Sequence, residues 1–327
     1  MATAKRRAAK PPRRPRRTAA PRLQVVVLSR NPKLHATRRL AEAARAAGHQ
    51  PLVLDTLRCN MVLGGGQARI LYKGEELAPH RFHVVLPRIG ASITGYGLSV
   101  VNQLDLMGVP ICNNAIPIAR SRDKLRALQL LSRFGIDIPR TAMVRFREEV
   151  PAAVEMVGGL PCIIKLLRGT QGVGVMIAST MAEVTGMLDT LWTLGQEILL
   201  QELVAESRGK DVRALVIGDR VVGAMRRTAK AGEFRSNIHR GGEAVALTLP
   251  REYAEAAIKA TRVMGLEVAG VDMLESRGGP KILEVNSSPG FEGLEKATGL
   301  DVASLYVGHA VEYGHARATG QQRGLLT

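Results

Sequence analysis

The 327-residue chain carries 46 Lys and Arg against 29 Asp and Glu, a formal net charge of +17, with 46% hydrophobic and only 3% aromatic residues. Length allows two or three domains, and the hydrophobic share with 34 glycines fits an α/β enzyme and excludes a disordered chain. Scarce aromatics argue against a base-stacking platform, no apolar run approaches the roughly 20 residues that cross a bilayer, and three scattered cysteines, Cys59, Cys112 and Cys162, make neither a disulfide framework nor a zinc cluster. A soluble, cytoplasmic protein in a reducing compartment, without membrane attachment, is the expectation.

The charge is uneven. Residues 1–22 hold nine Lys or Arg, four prolines and no acids, so removing them leaves about +8. Such a segment has too little apolar surface to fold and reads as a disordered arm, either a plain solvated extension or start-site artefact, or a weak, salt-sensitive tether to RNA or ribosomes.

A strand is expected at 23–28, then an Ala-rich helix at 35–47 closed by Gly48, and a strand at 52–54. Further strands at 70–72 and 84–86 and a helix at 96–107 complete a small α/β domain ending near Cys112, with the Gly64-Gly65-Gly66 run as a loop. Ser121 is the expected N-cap of a helix to Phe134, with Leu125, Leu128 and Leu131 on one face and Gly135 closing it. Beyond Pro139, strands at 162–166 and 173–177 surround a glycine loop, and strands at 198–203, 212–217 and 221–225 lead on to Asp272 and Glu284. Helices at 182–194 and 251–264 cover them. This is α+β with hairpins rather than a regular β-α-β winding, and no internal repeat is evident.

Four stretches carry chemistry. Lys165 ends an apolar strand and precedes the glycine-rich loop up to Gly174, where backbone amides can approach an anion beside a compact positive charge, although the Walker A ending is missing. Gln201 and Glu202 interrupt an apolar strand followed by Asp211 and Arg213; either the strand's end reads an adenine edge and the acid a ribose, or these are solvated strand residues. Arg235, Asn237, His239 and Arg240 gather in one loop, able to stabilise phosphoryl charge and orient a substrate or metal, or simply to lie in solvent. Finally, Glu284 and Asn286 stand two apart on a strand and so share a face, and Asp272 on a neighbouring strand can complete an oxygen cluster suited to Mg²⁺ or Mn²⁺, unless these are simply solvated or salt-bridged strand-end residues.

Over residues 23 to about 306 the chain resembles the ATP-grasp carboxylate–amine ligases, and among them the RimK-type L-glutamate ligases that modify ribosomal protein S6. The resemblance is carried in order by Ser121-Arg-Asp-Lys-Leu, Lys165-Leu-Leu-Arg-Gly-Thr-Gln-Gly-Val-Gly174, Phe234-Arg-Ser-Asn-Ile-His-Arg-Gly-Gly242 and Glu284-Val-Asn-Ser-Ser-Pro-Gly-Phe-Glu-Gly-Leu-Glu-Lys296. It implies an ATP-grasp fold of two α+β subdomains gripping ATP, at 119–310 (a central lid over about 140–200, the second subdomain over about 201–310), with a pre-ATP-grasp α/β domain at 23–118 and a C-terminal tail at 311–327. It also implies that Lys124 and Lys165 contact the ATP phosphates under a loop including Gly169, Thr170, Gln171 and Gly172. Glu202, Leu203 and Val204 would line adenine, Asp211 with Arg213 nearby would hold the ribose, and Arg235 would face the γ-phosphate. Arg235, Asn237 and Arg240 would serve catalysis, and Asp272, Glu284 and Asn286 would bind two Mg²⁺ or Mn²⁺ ions.

The implied reaction joins the amine of L-glutamate to a carboxylate activated by ATP as an acyl phosphate. The implied acceptor is the glutamate-ended C-terminus of S6, and the implied assembly is a homo-oligomer. A glutamate ligase for a small molecule or for poly-glutamate is the alternative within the class; an RNA-binding protein acting through the tail is the alternative outside it.

Overall fold

The computed structural model of the protein describes residues 22–65, 68–167, 174–230 and 242–320. Its first strand, β1 (Gln24–Leu28), reads Gln-Val-Val-Val-Leu, without polar alternation, as a strand buried on both faces requires. Helix α1 (His35–Ala46) follows, then β2 (Gln50–Leu54). Gly48 takes the left-handed conformation, φ 82°, and its amide donates to the Arg45 carbonyl, so the expected glycine stop is a real one. A three-stranded antiparallel meander, β3 (Cys59–Val62), β4 (Arg69–Tyr72) and β5 (Glu75–Glu76), precedes β6 (Phe82–Pro87). Strand β1 pairs in parallel with both β2 and β6. Val26, Leu28 and Val85 face helix α2 (Thr94–Leu106), whereas Val25, Val27, Val84 and Leu86 face the other way.

Helix α3 (Ala115–Arg122) leads into α4 (Lys124–Arg133). The expected cap at Ser121 is corrected here: its hydroxyl bonds back to Ile118 within α3, and Asp123 caps α4 by accepting from the Arg126 amide. Asp123 brings a carboxylate to a helix N-terminus, where a negative charge is favoured. The next unit contains β7 (Thr141–Ala142), α5 (Val150–Met156), β8 (Cys162–Leu166), β9 (Val175–Ala178), α6 (Met181–Thr193) and β10 (Ile198–Glu202). Its sheet runs β7-β10-β8-β9, antiparallel throughout. Cys162, Ile164, Ile198 and Leu200 pack under α5 and α6, which leaves the alternate residues Lys165 and Gln201 on the opposite face.

The last unit is a five-stranded antiparallel sheet in the order β13-β12-β11-β14-β15, built from β11 (Lys210–Ile217), β12 (Arg220–Thr228), β13 (Glu243–Ala246), β14 (Val268–Ser276) and β15 (Gly279–Asn286). Helix α7 (Arg251–Met264) and α4 cover one face through Tyr253, Ala257, Met264 and Leu131 against Val212, Val271 and Ile282. The other face is apolar at one end, where Leu215, Ile217, Met225 and Val268 pack against α8 (Glu292–Thr298) and α9 (Val302–Ala318). That cluster continues into Val25, Leu40 and Leu86 of the first unit, so a single core joins the two. Helix α9 runs eight residues into the expected tail at 311–327, and its Val311 and Tyr313 pack on this core. No described helix is long and apolar enough to cross a membrane.

Candidate active site

On the same face of the five-stranded sheet, beyond the apolar end, polar side chains replace apolar ones. Register places Asp272 opposite Glu284, Gly270 opposite Asn286, Arg213 opposite Asp272 and Asp211 opposite Arg227. Directly paired residues of an antiparallel ladder share a face, as do residues two apart, so six polar side chains from four strands point the same way. The expected trio Asp272, Glu284 and Asn286 is therefore brought together. A bulge interrupts the β14–β15 pairing immediately after Asp272, an irregularity that re-aims side chains. Gly270 has a role here: a Cβ there would lie 2.8 Å from the Cβ of Pro289, so only glycine lets the Ser287–Ser288–Pro289 turn fold back beside Asn286.

The charges are neutralised in pairs. Arg213 grips Asp272 through Nε–Oδ1 and Nη2–Oδ2 bonds of 2.6 Å each, and Arg227 reaches Asp272 at 3.1 Å while holding both oxygens of Asp211. Burial opposes ionisation of Asp272, but the two guanidiniums outweigh it and hold its carboxyl below the usual range. Asp211 is buried and engaged on both oxygens, so offering its carboxylate to a ribose requires parting it from Arg227.

Glu284 keeps solvent contact although protein surrounds it closely enough for desolvation to be the largest influence on its pKa, as at the floor of a cleft. Desolvation and then the nearby Asp272 raise it, while Arg213, Lys124 and Lys165 pull it down.

The two lysines reach this cleft from other elements. Burial pushes Lys165 down to about 8, against the opposing pull of Glu284, and its Nζ donates to Gln201 Oε1 at 2.5 Å. Gln201 in turn donates to Thr141 Oγ1 at 2.8 Å. Lys124, the first residue of α4, donates to the Leu166 carbonyl at 3.1 Å and is lowered by burial. Both lysines act electrostatically on Glu284, so α4, the β7-β10-β8-β9 sheet and the five-stranded sheet converge on one place. Glu202 is tied down by Arg140, side chain and backbone amide, and by Lys281 at 3.7 Å, so the polar edge it leaves for a base is backbone rather than carboxylate. Leu203 and Val204 follow it directly; Val204 is buried.

Gly169, Thr170, Gln171, Gly172, Arg235, Asn237 and Arg240, with residues 1–21 of the basic tail, lie outside the described residues. Among the described residues no three His, Cys, Asp or Glu side chains are placed to hold a metal, so an ion here needs the Asn286 amide oxygen as well as the two carboxylates. The donor set fits a hard divalent cation: two carboxylates and an amide, all oxygen, on two adjacent strands. Sequence reasoning missed Arg227 and Thr141. The hairpin turn at Gly218 and Asp219 is the signal that brings Arg227 back beside Asp211.

Comparison with known proteins gives a consistent picture. The RimK-like ATP-grasp domain family matches residues 121–308, and the RimK PreATP-grasp domain family matches residues 23–118. A probable alpha-L-glutamate ligase of Ectopseudomonas mendocina is 47% identical over 302 residues, 91% of this chain and 100% of that protein. One from Rhodopirellula baltica is 51% identical over 285 residues, 87% of this chain and 70% of that protein. Among solved structures, the ATP-grasp ligase PsnB complexed with a minimal precursor superposes with a TM-score of 0.71 at 24% identity, over 89% of this chain and 99% of that one. The macrocyclase MdnC of Microcystis aeruginosa, bound with its precursor peptide, gives 0.69 at 15% identity, over 89% and 100%. These likenesses in structure show the ATP-grasp fold.

Proposed function

We propose that this chain, which belongs to the RimK-like ATP-grasp ligase family, joins L-glutamate to a carboxylate acceptor at the expense of ATP, the preferred acceptor being the C-terminal glutamate of ribosomal protein S6. Its standing as an enzyme of the ATP-grasp ligase class follows from that membership. The observation that carries the site assignment is the convergence of Lys124 and Lys165 on Glu284, beside Asp272 and Asn286.

A free carboxylate is a poor electrophile, so the acceptor must first become an acyl phosphate; the glutamate amine then displaces phosphate, leaving an amide, ADP and inorganic phosphate. The two lysines supply charge for the ATP phosphates, and the backbone at Glu202 to Val204 offers an edge for adenine, with Asp211 the residue proposed for the ribose. Asp272, Glu284 and Asn286 would hold Mg²⁺, an ion that accompanies ADP in one complex of the structural neighbour PsnB, with Mn²⁺ an alternative. Bound there, the ions would neutralise charge on the transferring phosphoryl group. Arg235, Asn237 and Arg240 are proposed to act on the same charge from their loop.

Arg213 and Arg227 favour the ionised form of Asp272, so a cation binding there has to share or displace their hydrogen bonds rather than a proton. Incubating the protein with ATP, Mg²⁺ and L-glutamate, with and without S6, and weighing the products tests the reading. Glutamyl additions on S6 support it; additions to glutamate alone move the acceptor to poly-glutamate; no ADP release under either condition refutes both.

A further inference from the structure

The charge pairing around the cleft leaves two arginines over. Arg88 follows β6, and Arg122 ends α3 directly before the Asp123 cap. Arg88 Nη2 donates to the Pro289 carbonyl at 2.7 Å, in the turn after Asn286, and Arg122 Nη2 donates to the Ile89 carbonyl. Neither has a carboxylate within ion-pair distance among the described residues. Among the described residues Arg88 Nη1 and Arg122 Nε are buried with no hydrogen-bond partner, and the buried Tyr306 hydroxyl lies beside Arg88. Burial lowers the pKa of both arginines. Arg122 is close enough to repel Arg88 and to feel the pull of Glu284. Both keep part of their surface accessible.

A desolvated guanidinium without a counter-charge is costly, and buried polar atoms are normally partnered. Among the described residues Arg213 and Arg227 have Asp272 and Asp211, while Lys124, Lys165 and Arg122 share the pull of the single carboxylate Glu284, so cations outnumber anions around the cleft. The position is also telling. Arg88 stands just past the carboxyl end of a parallel strand, where open α/β sheets hold their ligands. A guanidinium fork matches a carboxylate in plane and spacing, and the ATP phosphates already have Lys124 and Lys165 proposed for them.

We propose that Arg88 and Arg122 form a carboxylate subsite that holds a substrate carboxylate, of L-glutamate or of the glutamate-ended acceptor, beside the Asp272–Glu284–Asn286 cluster. This rests on the glutamate-ligase reading above. The occupant supplies the missing counter-charge, and the Arg88–Pro289 bond ties its position to the turn that follows Asn286.

The test is steady-state kinetics of the full chain and of Arg88→Gln and Arg122→Gln, with thermal unfolding as the check on folding. The KM values for ATP, L-glutamate and a glutamate-terminated peptide are measured separately. The expected result is that one organic substrate's KM rises about 10–100-fold while that for ATP moves by less than about threefold. The substrate whose KM moves is the occupant. Its preference over the corresponding glutamine compound should shrink in the same variants, which a merely structural role would not cause. If the Gln variants fail to fold, Arg88→Lys and Arg122→Lys, which keep the charge and lose the fork, are read the same way. Folded variants with wild-type KM and selectivity for both organic substrates overturn the subsite. Wild-type protein that does not turn over glutamate at all overturns the ligase reading instead.

Discussion

Arg213 and Asp272 face each other across β11 and β14 and are joined by two 2.6 Å hydrogen bonds, with Asp272 almost wholly buried. Removing the arginine leaves that carboxylate with Arg227 as its main support. Arg213→Met should therefore cost about 3–5 kcal/mol in urea unfolding. Because the folded pKa of Asp272 is depressed, its contribution to stability is present above the ordinary aspartate range and lost as pH falls through the lowered value. In Arg213→Met this acid-side loss should begin at a higher pH. An unchanged acid limb would count against the pairing.

Burial pushes the Lys165 ammonium down to about 8. Its folded pKa lies below the unfolded one, so folding is less favourable while it is charged; the protein gains stability as pH rises from about 8 towards the free lysine value. Phosphate binding asks for the opposite, the protonated form. The apparent KM for ATP should rise above pH about 8, and Lys165→Arg should remove that rise. A pH-independent KM in the unaltered protein contradicts Lys165 as a phosphate contact.

A Cβ at Gly270 would meet Pro289 and Asn286 at once. Gly270→Ala must push the turn outward, a strain of about 1–3 kcal/mol, and shift Asn286 away from Asp272. The expected outcome is a lower melting temperature together with a higher Mg²⁺ concentration for half-maximal activity. A lower melting temperature alone would confine Gly270 to packing.

Asn113 acts from the first unit. Its buried amide donates to the carbonyls of Val268 and Ser287 and accepts from the amides of Glu267 and Val268, spanning the start of β14 and the residue after Asn286. It does so from a left-handed backbone, φ 73°, which asparagine tolerates better than most residues. Asn113→Ala strands four backbone groups and should cost about 3 kcal/mol or more, measured by urea unfolding. A change below about 1 kcal/mol would show that water replaces the amide.

What could be read in the sequence follows from the range over which each signal acts. Glu284 and Asn286 share a face because a strand alternates, so two-residue spacing was enough. Asp272 needed only one neighbouring strand. Lys165 was legible as a lysine ending an apolar run. The Asp123 cap lay two residues beyond the expected Ser121, because both are good caps and only the break between α3 and α4 decides between them. Arg227 was missed since its meaning comes from pairing with Asp211 sixteen residues away. Asn113, Arg88 and Arg122 were missed for a stronger reason: their partners, Val268, Pro289 and Ile89, belong to chain segments brought close only by tertiary packing, and no local pattern encodes that.

ADP release at saturating ATP, L-glutamate and acceptor, followed against Mg²⁺ concentration in the unaltered protein and in Glu284→Gln, is the most direct measurement. Glutamine keeps the size of Glu284 and removes the charge. The expected result is Mg²⁺-dependent release in the former and a loss of about a hundredfold or more in the latter, with its melting temperature preserved. A folded Glu284→Gln that releases ADP at a rate near that of the unaltered protein would contradict the assignment of Asp272, Glu284 and Asn286 as the place where metal and ATP meet.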